Sequence, residues 1–277
     1  MYLSSSDFTR TLLRIFAAHE SICLHTDVSA FGFLDSPSPP REAVRRFADA
    51  ILNAAEGRVL LLPTFNYDYT RTRVYDVVND PCQVGVLNEH FRRRTGTRTL
   101  TPVFNFLAIN DSNGRFPTAP APDPFGEFST FRRMRSNKTL ICALGAPLAA
   151  SLTIAHHAEQ SAGVGYRYIK PFPGRAISPD GVIHVLDGFH FRARVLNPEM
   201  PSYDYPRWEA ELLSEGIIQK HQLGAGTVVT YRADQHFDYW YARLKENELH
   251  PFSEADRVKV RALYEKYGYP FKLEMFE

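Results

Sequence analysis

The sequence predicts an α/β fold: a central mixed, largely parallel sheet flanked by helices, with a small antiparallel β addition. Three patterns predict it. Apolar strand-like runs alternate with amphipathic segments, glycine or proline separates them, and one region holds short alternating strands around a turn. The chain has 277 residues, of which 44% are hydrophobic, and single α/β units often reach about 250 residues. We therefore expect one domain over 1–277, with the antiparallel addition at 166–200 inside it.

The first quarter of the chain supplies a strand–helix–strand pattern. Residues 7–19 predict an amphipathic helix with Asp7 as its cap, and 21–25 ("SICLH") predict a buried strand. A second helix is predicted from Pro40 to Gly57, because proline suits the first turn and glycine the end. The run "RVLLLPTF" that follows reads as another buried strand. This order is typical of parallel strands joined by right-handed crossovers.

The remaining elements are predicted in the same way. A proline-rich loop over 112–129 is long for a compact domain, and such loops are more often functional than not. The predicted helices are 80–96, one beginning near 151, 205–221, 234–247 and 253–267; the predicted strands are 138–147 and 226–233, with a turn at "SPDG", 178–181.

Composition excludes several classes of function. The formal net charge is +1, so no overall field favours nucleic acid. The longest apolar run, "TLICALGAPLAA", is far shorter than the roughly 20 residues that span a bilayer, and the first residues lack a signal-peptide pattern. Cys23, Cys82 and Cys142 lack metal-type spacing and are typical of buried small side chains. We expect a cytoplasmic protein with neither a nucleic-acid nor a membrane partner.

The stretch "SLTIAHHAEQSAGVGYRYIK", 151–170, holds the strongest candidate chemistry. At helical spacing His156 and Glu159 share a face, whereas His157 points about 100° away. A carboxylate beside an imidazole can fix its tautomer and keep it basic, which a general base requires. The alternative is an ordinary solvated helix face. A metal site would need a third ligand, and His184 and His190 form no ligand motif, so we expect no metal.

A second candidate lies where the predicted strands end. Ligands bind at the carboxyl ends of strands in open α/β sheets, and "LHTDVSAFG" places His25, Thr26, Asp27 and Ser29 there. These short polar side chains could equally satisfy a strand-end turn. The next predicted strand ends at the same edge of the sheet, at residues 63–64.

Other motifs restrict the chemistry. The chain has no GxxxxGK[ST] phosphate loop, no GxGxxG after a strand and no GxSxG elbow, which disfavours nucleotide triphosphate, dinucleotide and hydrolase chemistry. Two basic clusters, "RRRTGTR" at 92–98 and "FRRMRSNK" at 131–138, are either solvated faces or sites for the phosphates of coenzyme A or of a nucleotide-linked substrate.

Several ordered blocks together resemble the aminoglycoside 3-N-acetyltransferase-like family, also called the antibiotic N-acetyltransferase fold. The resemblance covers roughly 20–245. It is carried by "LHTDVSAFG", "VLLLPTF", "DPCQVGVLNEHFRRRTGTRTLTP", "DPFGEFSTF", "ICALGAP", "TIAHHAEQSAGVGYRYIK" and "LGAGTVVTYRADQHFDYWYARL".

This resemblance implies direct acyl transfer from acyl-CoA, acetyl or short hydroxyacyl, to a primary amine on a sugar-like acceptor. The family's T-x-x-H-x-x-E block falls on Thr153, His156 and Glu159, and makes His156 the general base. Its loop on the pantetheine arm falls on His25, Thr26 and Asp27.

From the resemblance we assign site residues in three groups. The predicted catalytic residues are His156, Glu159 and Asp27, with backbone amides between Thr26 and Ser29 as oxyanion contacts. The predicted coenzyme-binding residues are His25, Thr26, Ser29, Phe31, Pro63 and Thr64. The predicted acceptor-binding residues are Arg92, Arg98, Phe104, Asn105, Tyr166 and Asp204.

Departures from the family pattern bear on the acceptor. The family's histidine and serine block is replaced by "RTLTPVFNF", and the later acidic strand by "FHFRARVLNPEMPSYDYP", whose only carboxylates are Glu199 and Asp204. A polycationic aminoglycoside demands several carboxylates. The basic and aromatic rim instead predicts a nucleotide-linked amino sugar, with arginines such as Arg132 on its pyrophosphate and an aromatic ring on its base.

Three alternatives stay open from sequence alone. The acceptor could be an aminoglycoside, as in the antibiotic-modifying members. The reaction could pass through an acyl-enzyme on Cys142 or Cys23. The chain could also be a non-catalytic module that retains the coenzyme site. The partners we expect are coenzyme A and a small amino sugar, and a homodimer is compatible with the sequence.

Overall fold

A computed structural model describes residues 2–116, 118–195 and 199–276. Its strands are β1 (Tyr2–Leu3), β2 (Ser21–Thr26), β3 (Phe33–Leu34), β4 (Val59–Pro63), β5 (Val74–Asp76), β6 (Thr97–Arg98), β7 (Phe106–Ile109), β8 (Leu140–Leu144), β9 (Arg167–Pro171), β10 (Arg175–Ile177), β11 (Ile183–Val185), β12 (His190–Arg194), β13 (Ile218–Leu223) and β14 (Gly226–Arg232).

The helices lie between these strands. They are α1 (Ser5–Phe16), α2 (Pro40–Ala54), α3 (Tyr69–Thr72), α4 (Val86–Arg92), α5 (Thr130–Ser136), α6 (Leu148–Ser151), α7 (Ala155–Ala162), α8 (Tyr205–Ser214), α9 (Ala233–Glu246) and α10 (Glu254–Tyr267), with short 3₁₀ turns at Val28–Phe31, Leu152–Ile154 and Leu273–Met275.

The central sheet has seven strands in the order β13-β14-β8-β2-β4-β7-β6. Strand β2 runs parallel to both β8 and β4, and the other neighbouring pairs are antiparallel. The predicted mixed sheet flanked by helices is confirmed, but its parallel part is limited to these three central strands. The β13–β14 and β6–β7 pairs are joined by connections without a helix, whereas helices lie in the chain between β4 and β7 and between β8 and β14.

Each face of the sheet is covered by helices. On one face α1 and α2 pack through Phe8, Leu12 and Phe47 against Ile22 and its neighbours. The other face packs against a second apolar cluster that includes residues of α5, α7 and α9. Because side chains alternate along a strand, Cys23 and His25 of β2 lie on the α7 side. This alternation brings His25 to the same side of the sheet as the helix with the candidate dyad.

Two helix predictions are wrong at their ends. Helix α1 begins at Ser5, with the Ser4 side chain accepting from the Asp7 amide, so Asp7 lies inside the first turn and is not the cap. The predicted helix over 205–221 stops at Ser214, because Gly216 adopts a left-handed φ of 68°. The residues after it form β13 at the sheet edge, paired with β14.

Between Arg167 and Arg194 the chain forms small sheets outside the central one. Strands β9 and β12 pair antiparallel, and β10 pairs antiparallel with β11. Strand β10 also pairs parallel with β5, which comes from far earlier in the chain. The β9–β12 pair lies beside α7, where Arg167 contacts Glu159. Part of the predicted 166–200 segment, 196–198, falls outside the described residues.

Candidate active site

The candidate dyad lies on α7, which follows β8 after a short irregular helical stretch. Its His156 and Glu159 are three residues apart, so they meet on one face. The distance from His156 Nδ1 to Glu159 Oε2 is 2.7 Å. A quarter (25%) of the His156 side chain is exposed, against 2% for Glu159. The imidazole therefore reaches a cavity while the carboxylate stays behind it.

The Glu159 carboxylate is held by a ring of donors from β9 and from the segment before α8. Tyr166 and Tyr203 donate their hydroxyls to Oε1 at 3.0 and 2.6 Å. The Arg167 Nε lies 2.7 Å from Oε2, and its Nη2 donates to the Tyr203 hydroxyl at 2.8 Å. Burial alone would raise the pKa of Glu159, but Arg167 and His156 outweigh it and bring the pKa to about 2. Glu159 is therefore ionised at every physiological pH.

The same arrangement sets the state of His156. Glu159, which only accepts, lies closer to Nδ1 at 2.7 Å than the Arg167 Nη2, which only donates, at 3.1 Å, so Nδ1 carries the proton that it donates to Glu159 and Nε2 is left as the basic nitrogen. Burial and the neighbouring Arg167 cation lower the pKa of His156 below its usual 6.5, while Glu159 opposes them. The imidazole is therefore neutral near pH 7 and able to accept a proton at Nε2.

The adjacent histidine has a structural role. Nδ1 of His157 lies 2.6 Å from the carbonyl of Phe125, and Gln160 donates to Asp123 at 2.8 Å. Burial lowers the pKa of His157 to about 4, so it stays neutral. These two contacts fasten the proline-rich loop to α7 and bring the Phe125 ring to 5.4 Å from the His156 ring.

Three neighbouring cavities surround this region. The His156 cavity, about 710 Å³, is lined by His156, Arg167 and Arg192 together with many aromatic rings. The strand-end cavity, about 410 Å³, lies over the ends of β2 and β4. Tyr67 lines both, so the two cavities share a wall.

The third, outer cavity continues from the strand-end cavity. Its volume is about 770 Å³, its lining is mostly apolar, and it shares Thr26, Gly85, Ala146 and Ala150 with the strand-end cavity. An apolar channel therefore runs along the carboxyl ends of the central strands toward the wall at Tyr67. Such a channel suits a long, thin ligand whose reactive end meets a second ligand in the His156 cavity.

The structure brings several predicted coenzyme residues to these cavities. His25 and Pro63 line the strand-end cavity, Ser29 lines the outer cavity, and Thr26 lines both. Burial lowers the pKa of His25 to about 4, so this imidazole is neutral.

Two predicted residues near the strand ends have other positions. Phe31 is buried between Phe8 and Phe47 in the core, and it lines none of the three cavities. Asp27 lines the outer cavity, away from the cavity of His156, and caps the 3₁₀ turn by accepting from the Ser29 amide at 3.2 Å. We therefore correct Asp27 from a catalytic to a capping residue. Its own amide donates to Leu144 O, so two of the amides predicted as oxyanion contacts are already used.

Thr64, Arg98 and Asn105 form a closed polar cluster. The Arg98 guanidinium donates to the Thr64 hydroxyl at 3.1 Å, to Asn105 Oδ1 at 2.9 Å, and to three backbone carbonyls. Thr64 and Asn105 are completely buried and bonded to each other at 2.7 Å. These residues support the chain between β4 and β7 and do not reach a ligand, contrary to the sequence prediction.

Of the other four predicted acceptor-binding residues, one lines the His156 cavity and three do not. Phe104 lines the His156 cavity. Arg92 makes a bidentate pair with Glu89, and Tyr166 is buried with its hydroxyl on Glu159. Asp204 caps α8 through the Arg207 amide. Of the four, only Phe104 is positioned to touch an acceptor, because the polar groups of the others are occupied inside the protein.

The remaining sequence predictions concern more distant groups. Arg132 pairs with Glu127, and Glu199 pairs with Lys266; none of these lines the His156 cavity. Burial raises the pKa of both Cys23 and Cys142 far above the usual value. Such thiols are poor nucleophiles, which argues against the acyl-cysteine route.

The sequence predicted a basic and aromatic rim, but the arginines of the β9–β12 pair and the tyrosines beside them were not assigned as site residues. Arg167, Arg192, Arg194, Tyr203 and Tyr205 line the His156 cavity. The alternating aromatic and basic letters of "YRYIK" and "HFRAR" were the available signal. Within the described ranges no group of three or more histidine, cysteine or acidic side chains could hold a metal ion, and no helix there is long and apolar enough to cross a membrane.

Comparison with known proteins identifies the family. The family model described as aminoglycoside 3-N-acetyltransferase matches residues 25–245. Among curated proteins, no sequence relative is similar enough to count as a match.

Solved structures share the fold at low sequence identity. Aminoglycoside acetyltransferase AAC(3)-Xa is 19% identical with a TM-score of 0.68, over 91% of this chain and 94% of that one. AAC-IIIb, solved as a binary complex with CoASH, is 19% identical with a TM-score of 0.68, over 89% and 97%. AAC-VIa bound to sisomicin is 17% identical with a TM-score of 0.69, over 89% and 98%.

The family model covers well over half of the chain, and it contains both the strand-end loop and the α7 dyad. The predicted enzyme class, an acyl-CoA-dependent N-acyltransferase, is thereby confirmed. The chain belongs to the aminoglycoside 3-N-acetyltransferase family.

Proposed function

We propose that this protein transfers an acyl group from acyl-CoA directly to a primary amine of an amino sugar, with His156 as the general base. The observation that carries the proposal is the 2.7 Å contact between His156 Nδ1 and Glu159 at the edge of a cavity that adjoins a second one at Tyr67. A base in the His156 cavity can deprotonate an amine that is bound there, while the thioester that the amine attacks enters from the strand-end cavity.

The reaction balances without an added reactant. The amine nitrogen forms a bond to the thioester carbonyl carbon, Nε2 of His156 takes the amine proton, the C–S bond breaks, and the imidazolium gives that proton to the departing sulfur to form free coenzyme A thiol. Holding both substrates together supplies much of the rate through proximity. Glu159 keeps Nε2 in the accepting tautomer and stabilises the imidazolium that forms.

The coenzyme has a suitable position in the channel formed by the strand-end and outer cavities. Their mostly apolar lining suits a pantetheine arm, and Thr26 and Ser29 offer hydroxyls to its amides. The neighbour AAC-IIIb was solved with CoASH, which supports coenzyme A in this fold. Which acyl group is carried, acetyl or a short hydroxyacyl, stays a prediction.

Two acceptors remain candidates. The family description and the sisomicin complex of AAC-VIa favour an aminoglycoside. The nucleotide-linked amino sugar predicted from sequence is favoured by the charge of the His156 cavity, which is lined by arginines, although not by those predicted. A homodimer and a cytoplasmic location also stay predictions.

The test replaces the proposed base and a matched histidine elsewhere. His156→Asn should lower kcat by about a hundredfold or more, since general bases contribute about 10² to 10⁴, while calorimetry shows the Kd for acetyl-CoA unchanged. His184→Asn, on β11 and outside all three cavities, should behave as wild type. Free-thiol release with acetyl-CoA and a panel of amino sugars gives kcat, and wild-type turnover in His156→Asn would remove the proposed base.

A further inference from the structure

The His156 cavity has charge of one sign. Arg167, Lys170, Arg192 and Arg194 line it, and among the residues that the structure describes no carboxylate does. Arg167 is neutralised by Glu159, which lies behind the wall at 2.7 Å. Arg192 and Arg194 therefore present positive charge to a ligand.

Two of these arginines are placed for recognition. Arg192 and Arg194 are two residues apart on β12, so they lie on the same side of the strand. Arg192 donates Nη1 to the carbonyl of Val164 at 2.9 Å, and Arg194 donates Nη2 to the carbonyl of Pro201 at 3.0 Å. Neutral carbonyls orient these guanidinium groups without cancelling their charge.

Arg192 also has hydrogen-bonding capacity left over. Its Nε is buried and has no hydrogen-bond partner among the described residues. The nearest acid outside the dyad, Asp123, acts on Arg192 electrostatically, but it accepts from Gln160 and from the Phe125 amide and does not line the cavity. A buried donor without a partner is costly, so an anionic ligand that reaches it gains a strong contact.

The uncharged part of the His156 cavity lining suits ligands that contain sugar or base rings. Its aromatic lining residues include Tyr67, Phe104, Phe125, Phe191, Tyr203 and Tyr205. Aromatic faces pack against sugar and base rings, whereas several ammonium groups of a polycation would lie beside uncompensated guanidinium groups, an arrangement that disfavours binding.

We infer that the amine acceptor carries an anionic group, a phosphate ester, pyrophosphate or carboxylate, which binds to Arg192 and Arg194. This inference rests on the proposed acyl transfer and specifies its acceptor. The planar guanidinium fork matches either kind of oxyanion. The anion site therefore lies on β12, and not at the basic clusters 92–98 and 131–138.

The anionic-acceptor inference is tested by comparing kcat/KM for a set of acceptor amines, with acetyl-CoA as the acyl donor. Glucosamine, glucosamine 6-phosphate, UDP-glucosamine, galactosaminuronic acid and sisomicin separate neutral, phosphate, pyrophosphate, carboxylate and polycationic classes. We expect at least one anionic amine to exceed glucosamine and sisomicin by about tenfold or more, as charge-assisted contacts allow. Preference for sisomicin over every anionic amine would overturn the inference while leaving the acyl transfer itself intact.

Variants and a binding measurement complete the test. Arg192→Gln and the more exposed Arg194→Gln should each lose about tenfold in kcat/KM for the anionic acceptor with acetyl-CoA affinity and Tm retained. Arg261→Gln, an exposed arginine on α10, is the control. Calorimetry with UDP and with pyrophosphate measures binding without turnover. If these anions bind and Arg194→Gln weakens their binding, the inference is supported even when no amine is acylated. If none of the anionic probes binds, the inference is overturned.

Discussion

The molecule buries two arginine clusters that look alike in sequence and differ in what surrounds them. Arg167 meets a carboxylate, a tyrosine hydroxyl and an imidazole at the edge of a cavity. Arg98 meets only neutral groups, the side chains of Thr64 and Asn105 and backbone carbonyls, in the closed interior. Both arginines make several hydrogen bonds, and the Arg98 cluster even holds a buried donor without a partner among the described residues, Asn105 Nδ2, so hydrogen bonding alone does not distinguish a site from a support.

The difference lies in titration and access. The Arg167 cluster contains His156, whose pKa burial lowers into the range of a neutral base and whose ring is partly exposed. The Arg98 cluster contains no group that titrates near neutral pH, and its members are almost completely buried. A polar cluster is therefore a candidate for chemistry only where a titratable group and an open cavity coincide.

The largest expected effect comes from removing the charge in the first cluster. Glu159→Gln keeps the shape but removes the negative charge, and its amide can turn either a donor or an acceptor toward Nδ1, so the imidazolium loses its counter-charge and the tautomer is no longer fixed. We expect kcat to fall by about a hundredfold, measured by thiol release per folded molecule. Glu159→Gln turnover within about threefold of wild type would mean that the carboxylate is only structural.

The second cluster should respond in stability and not in rate. Arg98→Lys replaces a fork with five donors by a single ammonium, which cannot reach all of its present acceptors. We expect the free energy of unfolding to fall by about 2 kcal/mol in urea titration, with kcat of the folded fraction unchanged. A lower kcat for Arg98→Lys with an unchanged free energy of unfolding would show that the Arg98 cluster acts in catalysis and not only in stability.

A smaller effect should appear in the pH dependence of kcat. His156 must be neutral to accept a proton, so kcat should rise with pH through the pKa of His156 and level off above it, with the midpoint below 6.5 because burial and Arg167 favour the neutral ring. Arg167→Gln removes the neighbouring cation, so the midpoint should move to higher pH. Arg167→Lys keeps the charge and should leave it nearly in place. An Arg167→Gln midpoint equal to wild type would exclude this electrostatic coupling.

The sequence predicted those features that depend on neighbours along the chain. The spacing of His156 and Glu159 is local to one helix, and His25 lies near the end of a predicted strand, where it lines the strand-end cavity. Proline at the start of α2 and the turn at Ser178–Gly181 were also predicted correctly. Local spacing and residue type are sufficient for such features.

What the sequence missed depends on contacts between distant segments. Tyr203 reaches Glu159 across 44 positions, and Arg98 cannot be told from Arg192 by composition, because burial among carbonyls is decided by the packing of other strands. The first four residues of the edge strand β13 were predicted as the end of a helix over 205–221, and the pairing of β13 with the distant end of β14 decides its state.

The most direct measurement of the central claim is a crystal structure with coenzyme A and the N-acylated product bound together. We expect the product nitrogen to lie in the His156 cavity, about 2.6–3.2 Å from Nε2 of His156 or joined to it through one water. The coenzyme sulfur should lie on the strand-end side of Tyr67. A product nitrogen bound far from His156, with another side chain within hydrogen-bonding distance of it, would contradict the account.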